Sequence, residues 1–230
     1  MSQTPEQIIA IVPAAGIGSR MGAEIPKQYL QLNEQSILSH TLDCLLSHPD
    51  IDKVIVALNP ADNYFAKLPQ VKHPKLECVI GGKERADSVL SGLKIAEAGA
   101  WALVHDAARP CLTHRDIDKL IASVNEFPQG AILAAPVRDT MKRTDEKGLI
   151  SETVCRERLW HALTPQYFPV SSLMQNLTDA LAAGALITDE ASAMEWAGVM
   201  PGIVSGRADN IKVTHPDDLQ LASLFLKNAV

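Results

Sequence analysis

Ile8-Ile9-Ala10-Ile11-Val12-Pro13-Ala14-Ala15-Gly16-Ile17-Gly18, residues 8–18, is the stretch on which the fold turns. Its first half is apolar and β-branched, with the length of a buried strand. Pro13 ends the run, and the small residues that follow form a turn at the strand's carboxyl end. The same grammar repeats outward. Residues 54–58 (VIVAL) close on Asn59-Pro60, 78–80 stop at Gly81-Gly82, 101–104 finish on His105-Asp106, and 131–135 make a fifth strand. Helical spacing separates them: 36–47 through Ile37, Thr41, Cys44 and Leu45, and about 84–98 through Val89, Leu93 and Ala96. Thr113 is an N-cap for a helix with Ile117, Leu120 and Ile121, and a last helix starts near His215-Pro216. Strands alternating with helices imply βαβ units. The expected fold is α/β and Rossmann-like, a mostly parallel sheet with helices on both faces, in one domain over residues 1–230.

Composition bounds the function. At 230 residues and 47% hydrophobic, the chain can bury a full core without staples. No apolar run approaches the roughly 18–20 residues that cross a bilayer. Residues 1–7 lack the basic and apolar regions of a secretory signal, so the expected location is the cytoplasm and no membrane partner is expected. Cys44, Cys78, Cys111 and Cys155 form no C-x-x-C pair and read as reduced, mostly buried thiols. A formal net charge of −6 argues against a general nucleic-acid binder. An anionic ligand must instead be met by local clusters of Arg and Lys.

Such a cluster follows the first strand. Gly16 and Gly18 carry no Cβ and let backbone N–H groups approach phosphate oxygens, and Arg20 and Lys27 add full charges. Glycines at 16, 18 and 22 miss the dinucleotide fingerprint by one position, and the loop lacks the G-K-[ST] of a P-loop. With Arg20 and Lys27 the pattern resembles the nucleotidyltransferase signature G-x-G-x-R-[ML]-…-P-K. Attack by a phosphate oxygen on the α-phosphorus of a nucleoside triphosphate gathers negative charge, which fixed cations stabilise. The nucleophile is already anionic, so no general base is needed, and Mg²⁺ or another divalent cation would bridge the triphosphate oxygens. Asp106, directly after a strand, is the best carboxylate for a ribose hydroxyl or the metal. A capping or turn Asp is the bland alternative, and His105 reads as structural or supporting.

Residues 138–158 break the pattern. They are polar, with Asp145-Glu146-Lys147-Gly148 as a turn between two extended runs. They read equally as a surface hairpin or as an arm reaching a second subunit.

The blocks PAAGIGSRMG, PKQYL, GGKERADSV, VHDAARP, APVRDTMKR, LWHALTPQ, ITDEASA and GRADNIKVT follow one another between about residue 13 and residue 214. In this order they resemble the 2-C-methyl-D-erythritol 4-phosphate cytidylyltransferases. The resemblance implies transfer of CMP from CTP to methylerythritol 4-phosphate, with pyrophosphate released. It implies that Arg20, Lys27, Arg156 and Lys212 are catalytic. Ala14, Ala15, Gly16, Gly82, Ser88, Asp106 and Ala107 would bind CTP, with Asp106 also near the metal. Arg109, Thr140, Arg156, Thr164, Thr188 and Lys212 would hold the polyol phosphate. It also favours the arm reading, a projecting β-arm exchanged in a homodimer. Ribitol 5-phosphate or another sugar phosphate is the alternative acceptor, and a non-catalytic nucleotide-binding module is the reading from a different class.

Overall fold

A computed structural model describes residues 7–16 and 25–228. Along the chain run β1 (Ile8–Pro13), β2 (Gln31–Leu32), β3 (Gln35–Ser36), α1 (Ile37–Ser47), β4 (Lys53–Leu58), β5 (Leu76–Ile80), α2 (Arg85–Leu93) and β6 (Trp101–Val104). There follow α3 (His114–Ala122), β7 (Ala131–Pro136), β8 (Met141–Thr144), β9 (Ile150–Val154), β10 (Trp160–Pro169), α4 (Val170–Ala182), α5 (Glu190–Trp196), β11 (Gly202–Ser205) and α6 (Pro216–Asn228).

The central sheet has seven strands in the order β11-β7-β10-β6-β1-β4-β5. Every pairing is parallel except those of β10, which runs antiparallel to both β6 and β7. The α/β, mostly parallel expectation is met. β1 shows why its sequence makes a central strand. Ile8, Ala10 and Val12 face one core and Ile9 and Ile11 the other, so both faces are apolar. The first core takes Leu38, Leu42 and Leu45 from α1 and Ile117 and Leu120 from α3. The second takes Val89 and Leu93 from α2, Leu173 and Leu177 from α4, and Met194 from α5. Each fully buried Ile or Leu contributes about 1.5–3 kcal/mol of transfer free energy.

Local signals fix the boundaries. The Ser36 hydroxyl accepts from the Ser39 N–H at 3.1 Å and starts α1. Thr113 caps α3, with the Asp116 carboxylate reaching back to its N–H at 3.3 Å and its hydroxyl at 2.7 Å. Two expectations are corrected. The second helix was expected to reach residue 98 but α2 ends at Leu93, because the chain tightens into i→i+3 bonds such as Ala96 N–H to Leu93 O at 3.2 Å. The thiols are not mostly buried: Cys111 is, whereas Cys78 on edge strand β5 and Cys155 after β9 are exposed. No element was expected between residues 159 and 214, where β10, α4, α5 and β11 lie.

β8 and β9 form a separate two-stranded hairpin, and residues 138–153 are exposed throughout. The Asp145 carboxylate closes its turn by accepting from the N–H groups of Lys147 and Leu149, each at 2.9 Å. Among the described residues no helix is long and apolar enough to cross a membrane.

Candidate active site

β1 and β6 are neighbours, but the chain continues from β1 to β4 on one side and returns to β6 on the other. Ligands of open α/β sheets sit beyond the strand ends at such a switch point. A cleft of about 460 Å³ opens there, lined by Pro13 to Gly16, Lys27, Gln28, Gly82 to Arg85, Ser88, Asp106 to Ala108, Lys212 and Thr214. The sequence-derived nucleotide residues Ala14, Ala15, Gly16, Gly82, Ser88, Asp106 and Ala107 all lie on this wall. Arg20 falls outside the described residues.

The loop after β1 is held by its carbonyls. The buried Gln28 amide donates to Ala14 O at 2.8 Å and Gly16 O at 3.1 Å, and Asn59 donates to Ala15 O at 3.2 Å. Opposite, the Ser88 hydroxyl accepts from the Gly82 N–H at 3.1 Å and donates to Glu84 O at 3.2 Å. A Cβ on Gly81 would come within 2.6 Å of Ala15 Cβ, and one on Gly82 within 2.1 Å of Asp87 Cβ. Gly81 therefore lets the two walls meet, and Gly82 lets its loop pack on the start of α2. Lys27 Nζ donates to Val213 O at 3.0 Å, which draws the first loop to the segment carrying Lys212.

Asp106 organises the charge. Its Oδ1 lies 2.9 Å from Arg85 Nε, and its Oδ2 lies 3.3 Å from Arg109 Nε and 2.9 Å from Lys212 Nζ. Burial alone would raise this carboxyl, but Arg85, Lys212 and Arg109 outweigh burial and hold it far below the usual carboxylate range. The other end of Arg85 grips the buried Glu190, Nη1 to Oε1 at 2.6 Å and Nη2 to Oε2 at 3.1 Å. Sequence reading missed Arg85, Glu190 and Gln28. Glu190 looks like an ordinary first-turn acid after the Asp189 cap, and its partner is 105 positions away.

Behind Asp106 sits a neutral histidine. His105 Nδ1 lies 2.9 Å from the Thr164 hydroxyl and Nε2 3.0 Å from Arg109 O, while that hydroxyl accepts from the Asp106 N–H at 3.1 Å. The network assigns the ring proton to Nε2. Burial pushes His105 down to about 4. Thr164, expected on the acceptor, is therefore turned inward, 4% exposed and bonded to Asp106 and His105. A substrate contact from it would break this network.

A second cleft of about 460 Å³ is lined by Arg109, Ala135, Pro136, Arg138, Asp139, His161 to Leu163, Ala208, Asn210, Ile211 and Lys212. Lys212 lines both clefts. Of the residues expected on the acceptor, the structure brings Arg109 and Lys212 together here. Thr140 and Arg156, on the hairpin and its root, are exposed and line neither cleft among the described residues. Arg156 Nη1 donates to Arg138 O, at that cleft's rim. Thr188 is exposed too, its N–H donating to Ser192 Oγ at 3.1 Å.

The sequence profile of the 2-C-methyl-D-erythritol 4-phosphate cytidylyltransferases matches residues 8–228. The chain belongs to this family. Relatives bearing that name include one from Shewanella pealeana, 81% identical and covering 100% of this chain and 99% of its own length. Another from Shewanella piezotolerans is 77% identical, covering 99% of each. The crystal structure of a family member from Francisella tularensis superposes with a TM-score of 0.82 at 33% identity, over 96% of this chain and 100% of that one. One from Thermus thermophilus gives 0.78 at 27%, over 94% and 98%. The seven-stranded sheet is thus the family's fold.

The carboxylates lining the nucleotide-side cleft are Glu84 and Asp106 among the described residues, which suits a cation held mainly by phosphate oxygens rather than a protein cage. His48, Asp50 and Asp118 gather before β4, at the other end of the sheet. There His48 Nδ1 accepts from the Asp50 N–H at 3.2 Å and Nε2 faces Asp118 Oδ1 at 3.1 Å, so the ring has no lone pair left for a metal.

Proposed function

We propose that the two clefts join CTP to 2-C-methyl-D-erythritol 4-phosphate, giving 4-diphosphocytidyl-2-C-methyl-D-erythritol and pyrophosphate. The observation that carries this reading is Lys212, a cation shared by a nucleotide-sized cleft and a basic second cleft. Family membership supplies the acceptor, and the matched relatives bear the methylerythritol name rather than a ribitol one.

The reaction is an in-line displacement. An acceptor phosphate oxygen forms a bond to the α-phosphorus of CTP, the bond from that phosphorus to the bridging oxygen breaks, and pyrophosphate departs. The loop from Ala14 to Gly16 and the Gly82–Ser88 wall would hold base and phosphates, and Asp106 with Ala107 the ribose. Lys27 and Lys212, with Arg20, would stabilise charge on the transferring group. Arg109 and Lys212 would bind the acceptor phosphate from this chain. Thr140 and Arg156 would reach it from the arm of a second copy, with Thr188 at the rim. That Thr140 and Arg156 are exposed and line neither cleft of their own chain among the described residues supports that homodimer. Mg²⁺ or another divalent cation would neutralise the triphosphate, with Asp106 the side chain able to approach it. We also place the protein in the cytoplasm, a reading that its four free thiols support.

The test is pyrophosphate release with Mg²⁺ and CTP, comparing methylerythritol 4-phosphate with ribitol 5-phosphate. Release with the first acceptor is expected. Preference for the second would overturn the acceptor, and no release with either would leave a nucleotide-binding module.

A further inference from the structure

Among the described residues, five charged side chains meet at the carboxyl edge of β6: Asp106, Glu190, Arg85, Arg109 and Lys212. Two are anions and three are cations, so the cluster carries one positive charge in excess. The excess is not evenly held. Arg109 is 10% exposed and tied by Nη1 to Asn210 O at 2.7 Å. Arg85 is 27% exposed but forked onto Glu190, whose side chain is 2% exposed. Lys212 is 37% exposed, lines both clefts, and meets the cluster through a single ammonium on Asp106 Oδ2.

The cation able to leave is therefore Lys212. When it turns to a phosphate, two anions and two cations remain, and Asp106 stays paired on both oxygens, Oδ1 by Arg85 and Oδ2 by Arg109. Without Glu190, nothing comparable among the described residues would hold the far end of Arg85. The guanidinium could then follow the incoming phosphates, leaving Oδ1 buried and unpaired, an arrangement that is strongly unfavourable.

We propose that Arg85 and Glu190 are positioning residues for the transfer: Glu190 fixes Arg85, and Arg85 keeps Asp106 paired and aimed at the nucleotide after Lys212 leaves it for the substrate phosphates. The inference rests on the nucleotide and acceptor reading above. It extends the site to α5 and makes Asp106 the group through which both residues act.

The test is a double-mutant cycle of Glu190→Gln with Asp106→Asn, measured as kcat and KM for CTP and as discrimination between CTP and 2′,3′-dideoxy-CTP. Glu190→Gln should lower kcat/KM by at least about tenfold, weaken the preference for the ribose hydroxyls, and have less than about a twofold effect in the Asp106→Asn background. A merely structural bridge would instead carry its full effect into that background. Kinetics within about twofold of wild type for Glu190→Gln, or a full effect persisting beside Asp106→Asn, would overturn the proposal. Should Glu190→Gln fail to fold, Arg85→Lys takes its place, since one ammonium cannot span both carboxylates, and the same loss and the same disappearance are expected. If the wild-type protein releases no pyrophosphate, the functional reading fails. The cycle is then read by calorimetry of CTP alone, where the roughly tenfold weakening must still vanish in Asp106→Asn.

Discussion

At the residue scale the proposed function separates groups that bind from groups that react. Lys27 lies on the cleft wall, and in the proposed role its charge would matter most where the transferring phosphoryl group is most negative. Lys27→Ala should lower kcat by roughly 10²–10³ while changing the KM for CTP much less. Steady-state kinetics check this, and an unchanged kcat with a raised KM would remove Lys27 from the transition state. His105 acts one layer back, through the Thr164 hydroxyl that receives the Asp106 N–H. Because burial pushes it down to about 4 from an ordinary 6.5, the unfolded chain binds a proton in that window that the folded chain does not. Stability is therefore complete above pH 6.5 and falls as the pH drops toward 4, by about 3 kcal/mol for this residue. Asp106 shifts in the other sense relative to its charge, and its contribution is lost only below its unfolded value of 3.8. Urea unfolding between pH 7 and 4.5 should show the loss in wild type and a flatter profile in His105→Gln. Equal slopes would mean that other groups carry it.

The hairpin of β8 and β9 is the element whose proposed role goes furthest beyond its own contacts. A lone two-stranded ribbon is marginal in water. Met141, Leu149 and Ile150 are exposed on it, Leu149 and Ile150 at 65% each, which suits packing on a second chain. On the proposed dimer, Ile150→Asp should shift the protein toward monomer in sedimentation and reduce activity by about tenfold or more, since Thr140 and Arg156 would no longer reach a neighbouring cleft. Arg156→Ala should keep the assembly and chiefly raise the KM for the polyol phosphate. Collapse of CTP affinity instead would show that the division between the clefts is misdrawn. Elements of this kind also mark what sequence could reveal. β1, β4, β6, β7 and α1 were legible because short apolar runs end on Pro, Gly or Asp and a capping Ser stands where the helix starts. β10 was not. Its run WHALTPQYFP interrupts an inner strand with Thr164 and Pro165, where its register with β7 shifts between Ala162 and Gln166, so no unbroken apolar or alternating pattern appears. The site divides in the same way. Loop residues such as Gly16, Gly82 and Asp106 stand beside strand ends and can be read locally. Arg85 and Glu190 become partners only when α2 and α5 pack on one face of the sheet.

On the scale of the whole molecule, the sheet is the common wall of two cores. Alternate residues of β1 belong to each, so neither layer can be lost while the other keeps its packing. The nucleotide-side cleft draws on the ends of β1, β5 and β6 together with residues 212 and 214 near the carboxyl terminus. Binding there should act on the entire fold, which makes residues 1–230 one thermodynamic domain by proposal. Trp101 at the start of β6 and Trp196 at the end of α5 report on different parts of it. Tryptophan fluorescence and far-ultraviolet circular dichroism should then trace a single denaturant transition. CTP with Mg²⁺ at about a hundred times its Kd should stabilise the protein by about 2.7 kcal/mol without splitting that transition. If the arm couples two copies, the midpoint should also rise with protein concentration, because association then favours the folded chain by mass action. Two separated transitions, with CTP moving only one, would show that the strands beyond β6 fold as a unit of their own. Lys212 would then join two cooperative units rather than two clefts of one.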